Sequence, residues 1–468
     1  MFRFGFIGMC IVLVSGCALT PDYERPELDV PETYYRGKDP YQEQNIANLP
    51  WWEVFQDLQL QTLIRTALAE NKDLGAALSR VAQVEAQLTS TQANQYPFLD
   101  ITGGAGRGKQ NQLLAPGAGI NNNFSIAGNI SFELDLWRKL SRSTESARAN
   151  LLASEAAYRH VSLGIVSTVA SAYFLLRDLD ERLLISQRTL GNRQDSLEII
   201  RARFNKGTVP ELDVNQAEIQ LATARVAVST YQRQIAHTEH SLAVLLGRNP
   251  GPITRGLALD DQTLLPDIPF GLPSELLQRR PDIVAAEQRL HAETALIGVA
   301  EALRYPSLSL TGSFGRISDD LSNLNDSSAE SWGIAGNLFA PVFNWGQLKA
   351  QSEAQRARTE EALYDYEATL QQAFREVADA LVAVRTYRET YAAYSFQADA
   401  ARNAERLSRA RYNSGVVDYL EVLDADRSLF TAELNESASL QDAMNALVGL
   451  YNSLGGGWVN EEPESSIK

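Results

Sequence analysis

The sixteen residues ARFNKGTVPELDVNQA from Ala202 to Ala217 return 208 positions later as ARYNSGVVDYLEVLDA from Ala410 to Ala425, with eight positions identical. The register holds elsewhere. IAGNI at 126–130 answers to IAGNL at 334–338, Trp137 to Trp345, Leu242 to Leu450 and Gly247 to Gly455. Upstream, YPFLDITGGAGR from Tyr96 matches YPSLSLTGSFGR from Tyr305 at an offset of 209, so one intervening loop has changed by one residue. The span from about residue 58 to 458 is therefore two copies of one unit, far longer than an ordinary solenoid repeat. Whatever one copy folds into, the other must fold into as well.

Each copy alternates two periodicities. Asp57 to Asn94 and Ser274 to Leu303 read as helices, the second opened by Ser274 as N-cap, and both stop before a Tyr-Pro pair. Period two then takes over. From Phe124 to Leu136 the even positions are apolar or small, while Ser125, Asn129, Ser131, Glu133 and Asp135 fill the other face. Trp332, Ile334, Gly336, Leu338, Ala340 and Val342 repeat the pattern. Each copy thus predicts one hairpin of long strands, at 96–136 and at 305–345, joined by the polar loops from Lys109 and from Asp319. Such strands are long enough to span a bilayer at a tilt. Four strands cannot close a barrel, and lipid tolerates no open sheet edge, so closure would have to come from other copies of the chain.

After the strands comes helix-forming material. Gln347 to Asn413 contains neither Gly nor Pro, and Lys139 to Asn205 has only Gly164 and Gly191 as soft points. At 1.5 Å per residue each makes a rod of roughly 100 Å. Leu363, Leu370, Val377, Val384, Tyr391 and Ala398 recur every seven residues, with Tyr366, Ala373, Ala380, Tyr387, Tyr394 and Ala401 three behind each, which is a coiled-coil seam. NKG and NSG then signal tips at 205–212 and 413–420, followed by returning helices from Glu211 to Leu246 and from Tyr419 to Leu454. The fold class expected is mainly α with a pair of β-hairpins.

The domain plan follows. Residues 1–16 have Arg3, an apolar core from Phe4 to Val14 and small residues before Cys17, the layout of an export signal. Residues 17–50, with prolines at 21, 26, 31, 40 and 50, read as an extended tether, folded structure beginning near Trp51. The first repeat is 51–250, a linker is 251–273, the second repeat is 274–458, and 459–468 is a tail. With 21% charged residues and a net charge of -16, nothing suggests nucleic acid as partner. No run of 18 apolar residues marks an ordinary transmembrane helix. No disulfide framework remains once Cys10 leaves with the signal.

Enzyme readings are poor. His237-Thr238-Glu239-His240 is one residue short of a zinc-hydrolase pattern, and GGAGRG at 103–108 lies in strand context without a following helix. No metal site, cofactor or catalytic residue is expected. Met444 and four His are all that a copper or silver relay could use, no positive sign of one. A secreted coiled-coil adhesin would explain heptads and export, but not strands duplicated in step with helices.

The lipobox-like Val14-Ser15-Gly16-Cys17, CALTPDYERP, WWEVFQDLQLQTLI from Trp51, LPSELLQRRPDI from Leu272, the paired Tyr-Pro motifs and both tips together resemble the TolC-like outer-membrane factors of tripartite efflux pumps, in their lipoprotein (NodT) branch. The resemblance covers nearly the whole mature chain. It implies acylation at Cys17, an outer-membrane address in a Gram-negative bacterium, and a homotrimer whose twelve strands form one barrel above a helical periplasmic cylinder. It also implies a periplasmic adaptor and an inner-membrane pump of the resistance-nodulation-division type, with small toxic compounds as cargo and type I protein secretion as the alternative. Arg203, Gly207, Val209 and Leu212, recurring as Arg411, Gly415, Val417 and Leu420, are the expected adaptor contacts. Glu421 and Asp424, with Asp213 in the first repeat, are the expected periplasmic gate. Val417 stands where some members carry a basic latch.

Overall fold

Asp57 fixes where the first helix described in full begins. Its Oδ1 accepts from the backbone N–H groups of Gln59 (2.8 Å) and Leu60 (3.3 Å), capping helix α1 (Leu58–Glu70). Its Oδ2 accepts from the Tyr173 hydroxyl at 2.7 Å and, at 2.9 Å each, from the Leu257 N–H and the Gln262 amide. Burial pushes this carboxyl up, but the bonds from Gln262, Tyr173 and the backbone outweigh it and hold the pKa below the usual carboxylate value. Stability from Asp57 is accordingly present above the unfolded-state pKa and lost as pH falls through the lower folded value. Asp57→Asn should cost about 1–3 kcal/mol near neutrality, and its melting temperature should converge on that of the parent below roughly pH 4. A pH-independent difference would refute the assignment.

The computed structural model describes residues 22–27, 31, 54–109, 119–262 and 276–456. After α1 come α2 (Lys72–Ala93), β1 (Phe98–Lys109), β2 (Ile120–Leu134), α3 (Lys139–Asn205) and α4 (Glu211–Leu245). The second repeat runs α5 (Leu276–Arg279), α6 (Pro281–Ala302), β3 (Ser307–Ser318), β4 (Glu330–Phe339), α7 (Gln347–Asn413) and α8 (Tyr419–Ser453). Both long rods match their expected bounds, and Gly164 and Gly191 leave α3 unbroken. The signal, Cys17, Ser274 and residues 457–468 lie outside the described residues.

The single helix expected at each repeat's start is two. In the first, Asn71 adopts ψ 132 and ends α1; its Oδ1 accepts from the N–H groups of Asp73 (2.9 Å) and Leu74 (3.0 Å), capping α2. In the second, Pro281 at the first position of α6 disfavours helix for Arg280. These breaks receive the ends of the returning helices. Asn71 Nδ2 donates to the Leu245 carbonyl at 2.9 Å, and the equivalent Arg280 guanidinium donates to the Ser453 carbonyl at 3.0 Å. Each returning helix ends on a left-handed glycine, Gly247 (φ 70) or Gly455 (φ 70).

The chain divides into two compact units. One holds the described residues of 80–155 and 285–367, the sheet among them, together with residues 22–27. Its strands are all antiparallel in the order β1-β2-β3-β4, so the β2–β3 seam joins the two repeats. β4 stops at Phe339, short of Ala340 and Val342, while Asn121 to Asn123, expected as loop, continue β2. Two short 3-10 turns occupy the loop after Ser318.

The expected free tether is partly docked. In this same unit, Asp22 Oδ1 sits 2.6 Å from the Arg142 guanidinium, Arg25 Nε donates to Glu287 at 2.7 Å, and the Tyr23 ring stacks on His291 at 4.5 Å. The prolines do keep this segment extended, but its side chains answer Arg142 and Glu287, both buried. Ordered structure thus starts ahead of Trp51.

The other unit holds the described residues of 29–79, 156–284 and 368–456. Its core includes Tyr173, Phe174, Leu176, Leu242, Leu447 and Tyr451. Along α7 the heptad positions are buried or half-buried, except Tyr387. One stretch of α3 is long and apolar enough to cross a membrane by length and composition, yet half of it is packed inside the chain, as in a core helix.

Candidate functional site

Both tips are built by the same turn. Gly207 (φ 71) donates its N–H to the Phe204 carbonyl and Thr208 to Arg203; Gly415 (φ 73) donates to Tyr412 and Val416 to Arg411. Glycine is required here for its left-handed backbone, since a Cβ at either position would meet nothing within 4 Å.

The two tips pack on one another. Leu197 and Ile200 of α3, Ala217 and Leu221 of α4, and Tyr419, Val422 and Leu423 of α8 form one cluster, with Val209, Val214 and Tyr412 against it. The Arg203 guanidinium lies 4.8 Å from the centre of the Tyr412 ring. Arg203 and Val209, expected to face a partner, are thus engaged inside the pair of tips, and Val417 is half-buried. Gly207, Leu212, Arg411, Gly415 and Leu420 remain exposed. So does Val416, which the sequence reading missed although it sits beside Gly415 at the turn.

The two expected gate acids of α8 are each paired with an arginine. Glu421 Oε1 lies 3.0 Å from Arg411, and Asp424 Oδ1 lies 2.7 Å from Arg427. Both pairs are exposed, where such contacts contribute less than about 1 kcal/mol. Like charges meet across the tips instead: burial, then the charge of Asp418, raises the Asp213 carboxyl above its usual range. A stronger tie lies deeper. Arg193, 4% exposed, donates through Nε to Asp426 at 2.8 Å and through Nη1 to the Gln220 carbonyl at 2.9 Å, and lies 5.0 Å from the centre of the Phe430 ring. It joins α3, α4 and α8, and no local pattern marks it. Beside the tips, Ile219, Leu420 and Leu423 line a groove of about 200 Å³ with Asp424 and Arg427.

The enzyme candidates dissolve into structure. His237 and His240 are exposed, while Glu239 pairs with Arg255 of the following segment. GGAGRG lies within β1. Among the described residues no three His, Cys, Asp or Glu converge.

The sheet separates two chemistries. Register places Leu99, Ile101, Ile126, Ile130, Leu308, Leu310, Phe314, Trp332, Ile334 and Leu338 on one face. Asp100, Thr102, Asn129, Ser131, Ser309, Thr311, Ser313 and Asn337 occupy the other, where the Asn129 amide donates to Asp100 at 2.9 Å. The apolar side is open, with Ile334 82% exposed, a surface water would penalise and lipid would not. Among the described residues nothing pairs with the outer sides of β1 and β4, the two edges of the sheet.

Known proteins share this architecture. Probable efflux pump outer membrane protein TtgC of Pseudomonas putida is 35% identical over 462 residues, covering 97% of this chain and 95% of the relative. Cation efflux system protein CusC of Escherichia coli is 34% identical over 457 residues, covering 96% and 98%. The open-state outer membrane channel MtrE of Neisseria gonorrhoeae superposes with a TM-score of 0.86 at 32% identity, over 94% of this chain and 98% of that one. The sequence pattern of outer membrane efflux proteins matches twice, at residues 63–248 and 272–456, once for each repeat. A coiled-coil adhesin is thereby set aside, and the chain belongs to the outer membrane efflux protein family.

Proposed function

We propose that three copies of the chain close their sheets into one twelve-stranded outer-membrane barrel, forming the exit duct of a tripartite efflux pump. The observation that carries this reading is the four-stranded sheet itself: an open apolar face, a polar face, and two bare edges that a bilayer cannot tolerate. A periplasmic adaptor docks on the exposed tip residues Leu212, Val416 and Leu420 beside the groove, and an inner-membrane pump of the resistance-nodulation-division type supplies the energy. Small toxic compounds are the cargo, which the pump selects. Acylation at Cys17 adds a lipid anchor to a protein the barrel already holds, so it bears on sorting more than on transport.

Glu421 and Asp424 line the periplasmic entrance, six carboxylates in a trimer. Purified trimers in planar bilayers should conduct ions, with divalent cations on the periplasmic side blocking current. Glu421→Ala with Asp424→Ala removes both acids and leaves Arg411 and Arg427 without these partners, turning the entrance more positive. Conductance should rise and block should weaken by about tenfold, equivalent to ~1.4 kcal/mol of lost attraction. Unchanged conductance and block in a correctly trimeric variant would remove the gate assignment; trimers that never conduct would remove the duct.

A further inference from the structure

The joint between the tip helices holds one donor more than the surrounding side chains answer. Arg193 is buried, and its Nε and Nη1 groups meet Asp426 and the Gln220 carbonyl, while Nη2, buried with them, has no acceptor among the described residues. Folded chains rarely keep a charged donor in that condition.

The space beside it fits one very small molecule. Arg193, Ser196, Arg409, Tyr419 and Asp426 line a cavity of about 10 Å³, with Ala217 on its wall. That is about what a water molecule needs and too little for an organic ligand. Polar groups stand on several elements around it. Ser196 Oγ donates to the Asn192 carbonyl at 2.8 Å, which leaves its lone pairs to accept. Burial, then the charge of Asp426, pushes the Tyr419 hydroxyl up to about 12, so it keeps its proton near neutrality. Charge argues against an ion. Arg193 is answered by Asp426 at 2.8 Å and Arg409 by Glu405 at 2.6 Å, so both guanidiniums already face a carboxylate.

We propose that this cavity is a binding site for a single water molecule, which accepts from Arg193 Nη2 and donates to the Ser196 and Asp426 oxygens that line it. The water completes the guanidinium without adding charge. It also makes the contact of α8 with α3 and α4 partly solvent-mediated, beside a cluster that is otherwise apolar. The site lies within one chain and is independent of the trimer reading.

Ala217 supplies the test, because valine and threonine there have nearly the same shape and similar helix propensity, and differ by one oxygen. Either side chain would intrude on the cavity and displace the water, but only threonine returns an acceptor to Arg193. In full-length protein unfolded by urea, Ala217→Thr should be favoured over Ala217→Val by about tenfold in the folding equilibrium, and Ala217→Val should be less stable than the parent. Equal stabilities, or a valine variant more stable than the threonine one, would mean that the cavity is dry and overturn the site. Crystallography of the full chain gives a second reading that needs no variant. Density should appear within about 3 Å of Nη2. An empty cavity overturns the site, and an anomalous signal there after a bromide soak would identify a halide and overturn the water.

Discussion

Replacing Arg280 with leucine should be among the most damaging single changes outside the sheet, lowering stability by about 3–5 kcal/mol and the apparent melting temperature by roughly 5–10 °C. The guanidinium is buried and holds three groups at once: Asp282 at 2.6 Å, Glu376 at 2.7 Å and the Ser453 carbonyl at 3.0 Å. Leucine would fill part of the space but leave two carboxylates and a helix-end carbonyl without this partner. Burial pushes the Asp282 carboxyl up, and Arg280 more than reverses this, holding it below the usual range. Its contribution is therefore present at neutral pH and disappears only as pH falls through that lowered value, so Arg280→Leu should do least damage in acid. Arg280→Asn copies the first repeat's solution at Asn71 and should recover only the carbonyl contact. A loss below about 1 kcal/mol for Arg280→Leu, measured by thermal unfolding, would mean the network is dispensable.

Gly247→Ala should cost about 3 kcal/mol or more, and Gly207→Ala only about 1 kcal/mol. Both glycines close the same kind of helix end with nearly the same φ, 70 and 71. At Gly207 the added methyl meets nothing within 4 Å. At Gly247 it would stand 2.2 Å from the Glu70 carbonyl oxygen, backbone that cannot rotate away. The pair separates the strain of left-handed backbone from the close approach of α1 to the end of α4. Equal losses in the two variants would show that the approach imposes nothing.

What was readable from sequence follows the range of the interaction that decides it. α7 was readable to its ends because 67 consecutive residues lack Gly and Pro and a Gly follows two positions after. The break at Asn71 was not: its capping of α2 is local, but a lone asparagine inside helix-forming sequence does not announce a break, and its other contact, the Leu245 carbonyl, lies 174 residues away. Pro281 did mark the second break, though the helix was read through it. The duplication marked the tips, yet only packing reveals that Arg203 and Val209 face the sister tip. Arg193 and Asp426 are 233 residues apart and belong to no pattern. Docking of Asp22, Tyr23 and Arg25 was hidden for the same reason: proline spacing describes the backbone and says nothing of which buried charges the side chains meet.

The internal β2–β3 seam has a consequence for assembly. A ring of the proposed kind contains six equivalent-looking seams, and the duplication places three of them inside single chains. Each encounter between free molecules surrenders translational and rotational freedom worth an estimated ~4–15 kcal/mol, so a ring of six half-length chains would face that loss five times and a ring of three faces it twice. The linker between the halves also makes closure less dependent on concentration. Once covalently joined, the halves no longer have to stay interchangeable: one keeps an asparagine and the other an arginine at the same helix break.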